Sequence, residues 1–599
     1  MPEGSGPGVH LRRVLSRLRR VFLNDQLVLL VLAIIVGAIG GYGAIAFRLL
    51  IDLIQSVSLG AMPGHISEAA AELPGWHLVL VLTLGGLLIG LFIHFLMPGR
   101  RCHGVADVIE ASALRGGRMS FRAGIGAALA SAASIGVGAS VGREGPVVHL
   151  GAALASSVAR RLHLSRSLTL TLLGCGVASA IAASFNAPIA GVIFALEVVV
   201  GHYALSSFAP IVIASVIGTM IARVHYGDFP AFIVSERAFV SFLELPAFAL
   251  LGVVSAAVAI AFIYAVLMVN DRMEKLAVPG WVKPMIGGLL MGLIALYFPQ
   301  VLGVGYGITD DALKELLSLE MLLAILMVKI VATAICLGSG FGGGVFSPSL
   351  VIGAMVGGAF GIIATGLFPE LSSGQGAYTI VGMGAVAAAV LGAPISTILI
   401  IFELTSDFPL TIAVMVGVVF ASMITQQTAG KSFFTMQLAR RGLSLKGGRE
   451  VSLLQSLEVS KVMTREFVSV PTVTGIARIC KLLPTVPYGE LFVISGVKGE
   501  ANQLVGTITL ADLPEEAFDT SRNHLLNAGD IARLEPPFLE VGDSLDAALE
   551  LMDTIQEDQV AVVENSKNMK LVGIVRERDV MRVYYRALAA ERAEEHGDH

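Results

Sequence analysis

Charge is what this sequence has least of. Asp, Glu, Lys and Arg make up only 15% of its 599 residues, hydrophobic residues make up 55%, and the mean hydropathy is +0.78. Soluble domains run nearer a quarter charged, so most of the chain is built for lipid. A formal net charge of −5 gives no basic surface of the kind nucleic acid needs, and none is expected as a partner. Cysteine is scarce too: Cys102, Cys175, Cys336 and Cys480 show no C-x-x-C spacing, which excludes a disulfide framework or a zinc site. The H-E-x-x-H stretch of a zinc protease is absent, and Ser140 and Ser339 have no base that the sequence identifies, so enzyme chemistry is not expected. A cation transporter would want converging carboxylates, and the apolar region has few.

The shortage is uneven. Residues 1–26 form a basic N-terminus, with five arginines in "HLRRVLSRLRR", and the positive-inside rule assigns it to the cytoplasm. Residues 27–440 alternate apolar runs with short polar connections, many of the runs cut short by Gly and Pro. Lipid tolerates broken helices only where the freed backbone faces protein or a water-filled cavity, which favours a transporter or channel. Beyond residue 440 the composition becomes that of a soluble protein. Two similar segments follow, 455–516 and 527–590, and then a polar tail, 591–599.

Between Arg122 and Arg160 the only charged residues are Arg143 and Glu144, inside "GVGASVGREGPVVHLGA". A second stretch, "GSGFGGGVFSPSLVIGA", starts at Gly338 and has the same spacing of glycines and proline. Gly142, Glu144, Pro146 and Gly151 thus pair with Gly344, Phe346, Pro348 and Gly353. Two further pairs keep the order: "NAPIAGVIFALE" with "GAPISTILIIFE", ending at Glu197 and Glu403, and "HGVADVIEA" from His103 with "YGITDDALK" from Tyr306. The membrane region is a duplication, with halves at about 27–225 and 246–440. Duplicated transport folds bind substrate where discontinuous helices meet at the repeat interface. Each glycine-rich loop here runs into a proline suited to a first helical turn. Its free N–H groups and the helix dipole would favour an anion. Glu144 stands where that anion would bind, so its carboxylate can occupy the anion's place. The competing role is a neutralising pair with Arg143.

These residues resemble the CLC family of chloride channels and proton-coupled chloride antiporters: "GREGP" matches its gating-glutamate motif and "GGVFSP" its second anion loop. The resemblance implies a polytopic α-helical membrane protein with inverted-repeat, discontinuous helices. It implies a homodimer with one chloride path per subunit, multi-pass in the plasma (inner) membrane, with both termini cytoplasmic. It makes Glu144 the gate. It has the amides of Val345 and Phe346 hold chloride, with Gly145 binding it further along and Arg143 bracing the loop and adding positive potential. Three positions depart from the family. At the first anion loop, "CHGVADVIEA" puts His103 where serine is usual, followed by Gly104 and Val105; its ring either donates to the anion or points aside while backbone amides bind. Phe434 replaces a coordinating tyrosine. Val198, after Glu197, replaces the acid that relays protons in antiporters, and this favours a gated channel, with H+/Cl− antiport as the alternative.

The tail resembles a tandem pair of CBS domains, an α/β fold: "LVGTITLADL" near Gly506 is echoed by "LVGIVRERDV" near Gly573. In such domains the Thr and Asp of this ending meet a ribose. Thr509, Asp512 and Asp579 fit, while Arg576 replaces the second threonine. An adenine nucleotide there and a purely dimer-forming tail stay open alternatives; no cofactor is required for transport.

Overall fold

The computed structural model describes residues 25–62, 64–201, 205–227, 242–430, 432–441, 443, 454, 457–486, 489–495, 502–514, 526–555 and 557–596. The basic N-terminal segment assigned above to the cytoplasm lies outside the described residues. The chain forms two compact units, 1–444 and 445–599.

In the first unit the same succession of helices occurs twice. The first set is α1 (Asp25–Leu59), α2 (Gly75–Leu96), α3 (Val105–Leu114), α4 (Phe121–Gly136), α5 (Glu144–Arg161), α6 (Arg166–Phe185), α7 (Pro188–Phe194) and α8 (Leu205–Tyr226). The second set is α9 (Leu245–Lys275), α10 (Lys283–Ala295), α11 (Tyr306–Leu313), α12 (Leu319–Gly338), α13 (Phe346–Leu367), α14 (Gln375–Leu391), α15 (Pro394–Thr405) and α16 (Phe408–Ala429). One short helix, α17 (Phe433–Arg440), follows. Among the described residues eight helical stretches are long and apolar enough to cross a membrane; several others are shorter. The protein is an integral membrane protein.

The breaks are written into the chain. α6 ends at Phe185 because Asn186 turns left-handed, with φ 57°, and helix resumes at Pro188 in the first turn. α14 ends in the same way, with Gly392 at φ 68° and Pro394 opening α15. The acids that close these segments are exchanged. Glu197 accepts the N–H groups of Ile395 and Ser396 at the start of α15, at 3.1 and 2.8 Å, and also the Ser396 hydroxyl. Glu403 accepts those of Ile189 and Ala190 at the start of α7, at 3.0 and 2.7 Å. Each half caps the other's helix, as a two-fold relation between the repeats requires. Glu403 is therefore a helix-end charge. Among the described residues buried Lys329 pairs with no acid: its ammonium donates to the carbonyls of Val301 and Gly303, at 3.0 and 3.1 Å.

The second unit is duplicated as well. β1 (Ser469–Pro471) runs parallel to β2 (Glu490–Ile494), which pairs antiparallel with β3 (Leu504–Thr509); β4 (Arg533–Leu534) completes that sheet. β5 (Phe538–Glu540), β6 (Gln559–Val563) and β7 (Leu571–Arg576) repeat the first three with the same directions. At the matching first positions of β2 and β6, buried Glu490 accepts a 2.7 Å hydrogen bond from Gln559.

Two predictions follow from this packing. α5 crosses α6 with Gly151 against Gly176, and α13 crosses α14 with Gly353 against Gly382. A Cβ on Gly151 would lie 2.3 Å from the Gly176 carbonyl oxygen, and one on Gly353 as close to that of Gly382. Gly151→Ala should cost about 1–3 kcal/mol by overpacking and lower the melting temperature in detergent. In the tail, burial raises the Glu490 carboxyl above its ordinary 4.5. A raised acid stabilises the fold fully below its unfolded value and loses that contribution as pH rises through the folded one. Hydrogen exchange on the intact protein should show β2 and β6 better protected at acidic than at neutral pH. Glu490→Gln should remove the difference.

Candidate functional site

Two glycine-rich loops build the site. α4 ends at Gly136 and the chain turns at Gly138, with φ 101°; α12 ends at Gly338 and turns at Gly340, with φ 99°. Both angles lie where a side chain is strained, so glycine is required. The turned loops then meet. Gly142 N–H donates to the Gly344 carbonyl at 2.7 Å and Gly344 N–H to that of Gly142 at 2.8 Å. Two residues beyond this bridge the helices begin, α5 at Glu144 and α13 at Phe346.

Glu144 is 1% exposed. Its carboxylate lies over the start of α13, accepting the Ser347 N–H at 3.3 Å and the Ser347 hydroxyl at 2.5 Å. Tyr306, the first residue of α11, donates its hydroxyl at 3.0 Å. Arg143 Nε stands further off, at 3.7 Å. Its guanidinium donates to the Ser184 carbonyl and stacks over the Tyr306 ring, 4.9 Å from the centroid. The carboxylate is thus held mainly by neutral donors and a helix N-terminus.

One cavity of about 1030 Å³ reaches this point. Its wall contains His103, Gly104, Val105, Glu144, Gly145, Val345, Phe346 and Phe434. The first-turn amides of α13 have no intrahelical acceptors, so Val345 and Phe346 can offer N–H groups to an anion. Phe434 supplies a buried ring edge-on to Phe433, with centroids 6.0 Å apart.

The geometry bears on three of the expected anion-site positions. Arg143 is not among the residues of the cavity wall, so it is placed as the brace and not as an anion ligand. Gly104 does not present a free amide, because its N–H donates to Asp107 at 2.9 Å. The His103 ring points aside from the anion path: Nε2 lies 3.1 Å from the Pro98 carbonyl oxygen and Nδ1 lies 3.3 Å from Asp107. Val198 sits apart from the cavity, in a π-helical turn (Ala195–Val200), packed on the apolar core. Tyr306 was missed as a functional residue, although it opens the segment that pairs with His103 and so had a signal in the repeat.

In the tail, Thr509 and Asp512 bind each other: the Thr509 hydroxyl and N–H both donate to Asp512 at 2.7 Å, and Arg533 approaches the same carboxylate at 3.4 Å. Asp579 is flanked by Arg578 and Arg582.

A duplicated helical membrane unit whose two repeats join at a buried carboxylate, over helix starts suited to an anion, defines an anion-transport protein. The voltage gated chloride channel family matches residues 85–426, and the CBS domain matches residues 528–586. The chain belongs to that chloride channel family, known as CLC, and its function is CLC-type chloride transport. It is 31% identical over 416 residues to a putative chloride channel protein ClcB-like of Ralstonia nicotianae, covering 69% of this chain and 97% of that one. It is 29% identical over 450 residues to the H(+)/Cl(−) exchange transporter ClcA of Salmonella paratyphi B, covering 72% and 93%. Two solved structures share the fold. A slow cyanobacterial Cl−/H+ antiporter has a TM-score of 0.63 at 22% identity, covering 69% of this chain and 97% of that one. A eukaryotic CLC transporter scores 0.61 at 20% identity, covering 93% and 98%. The channel expectation drawn from Val198 finds no support in the relative named as an exchanger.

Tyr306→Phe should loosen the gate. It removes a hydrogen bond to a charged group, worth about 1.5–3 kcal/mol, and should raise chloride efflux from liposomes roughly tenfold or more.

Proposed function

We propose that the protein exchanges chloride for protons across the plasma (inner) membrane, as a homodimer with one path per subunit and both termini in the cytoplasm. It is a transporter and not an enzyme, and needs no cofactor. An adenine nucleotide at the tail would have to displace the Thr509–Asp512 pairing, so dimer contact is the role assigned there. The observation that carries the reading is the Glu144 carboxylate on the Ser347 amide, in the place of an anion. While ionised it closes the path. Protonation removes its charge and weakens its hold on the N–H and O–H donors. The side chain then leaves, and chloride takes the freed α13 terminus beside the Val345 and Phe346 amides. The ionised carboxylate and chloride thereby compete for one site, and the proton on Glu144 decides which of them holds it. The exchanger named among the relatives supports this reading over a passive channel.

The test is purified protein in liposomes, with voltage clamped near zero, a chloride gradient imposed and internal pH recorded. Uphill proton movement that disappears in Glu144→Gln is expected. Chloride flux without proton movement in the wild-type protein would make it a channel.

A further inference from the structure

Exchange at Glu144 requires a route for protons between the carboxylate and the far mouth of the cavity. Arg100, Glu274 and Arg440, all exposed, mark that mouth. Several titratable side chains share the wall with Glu144, and most are committed. Asp271 is bound by Arg440. Asp107 accepts the Gly104 N–H and faces Arg101 at 2.5 Å and Arg441 at 3.1 Å. The Cys102 thiol rests on the Ser131 hydroxyl at 3.7 Å.

His103 is different. Both its ring nitrogens face acceptors, the Pro98 carbonyl and the Asp107 carboxylate. Neither acceptor brings a proton. A neutral imidazole has one N–H and can serve only one of them, whereas the doubly protonated ring serves both. Releasing one proton therefore breaks one contact and leaves the other. The ring is also tied to the gate's own helix. It stacks on His149 of α5, with centroids 5.6 Å apart and planes 16° from parallel. His149 is 2% exposed, and its Nδ1 has no hydrogen-bond partner among the described residues.

We infer that His103 is the proton carrier between the cavity mouth and Glu144, and that His149 is a positioning residue holding its ring. The inference rests on the exchange reading above. In the step, one N–H bond of the imidazolium breaks, the proton crosses the cavity through water, and an O–H bond forms on the Glu144 carboxylate. The neutral ring then takes a proton from the mouth. Among the described residues Asp107 from α3 and His149 from α5 meet the ring; Arg101 from the preceding loop and Arg441 following α17 reach it through Asp107, Glu110 of α3 pairs with Arg441, and Cys102 precedes the ring in the chain.

The experiment measures chloride and proton flux together in liposomes for wild type, Glu144→Gln, His103→Gln, His103→Asn, His149→Ala and His149→Phe. A non-titrating residue at 103 should lower the ratio of proton to chloride transport by about tenfold or more. His149→Ala should lower coupling and His149→Phe, which keeps a ring to stack on, should restore it. Proton transport at the wild-type rate in either His103 variant, with Glu144→Gln uncoupled, overturns the assignment and leaves exchange standing. Chloride flux without protons in wild type overturns both. If both His103 variants lose chloride flux, His149→Ala decides: coupling at the wild-type ratio in that variant would overturn the assignment.

Discussion

Two backbone hydrogen bonds, exchanged between Gly142 and Gly344, hold the path together. They fix the distance between the repeats at a place where both are about to enter a helix. With the bridge in place, the Glu144 side chain reaches the first turn of the other repeat's helix. It finds there the N–H groups that a free helix end leaves unmet. The left-handed turns at Gly138 and Gly340 are what aim the two loops at each other. Burying a carboxylate this deeply would be prohibitive without such partners. The hydroxyls of Tyr306 and Ser347 complete its shell. Neutral donors hold a carboxylate while leaving it able to go, which a full ion pair would not.

Much of this was legible in the sequence because glycine and proline carry backbone information directly. The paired loops, the prolines opening α7 and α15 and the lone acid in an uncharged run all point to one place, and the structure brings them together. Side-chain pairings between distant positions were harder to read. Tyr306 reaches Glu144 across 162 residues, and nothing local to "VLGVGYGITD" announces the contact. Asp107 takes the Gly104 amide because an acid three residues into a helix folds back on its cap. That spacing was present in the sequence but was read as part of an anion loop. His149 stacks on His103 with one nitrogen unmet among the described residues, a pairing across 46 positions that no local pattern marks.

Substitution at one family position is thus answered by geometry at another. Val198 packs against apolar neighbours away from the cavity. Around the cavity itself the protein keeps titratable groups, with Asp107 drawing His103, Arg101 and Arg441 into one cluster at the first loop. The positive charge of that cluster lies beside a wall of amides and apolar rings. Such a surface attracts anions toward the amides without offering oxygen ligands to a cation.

The exchanged caps have a consequence for how the chain is made. Glu197 leaves the ribosome 199 residues ahead of Ser396, the amide it must bind, and α7 waits about as long for Glu403. Until the second half arrives, an acid and a bare helix start are both without partners in the bilayer, where such groups are costly. The first repeat is therefore an unfinished object throughout its own synthesis. The two halves complete each other's caps, so the duplicated unit matures only as a whole.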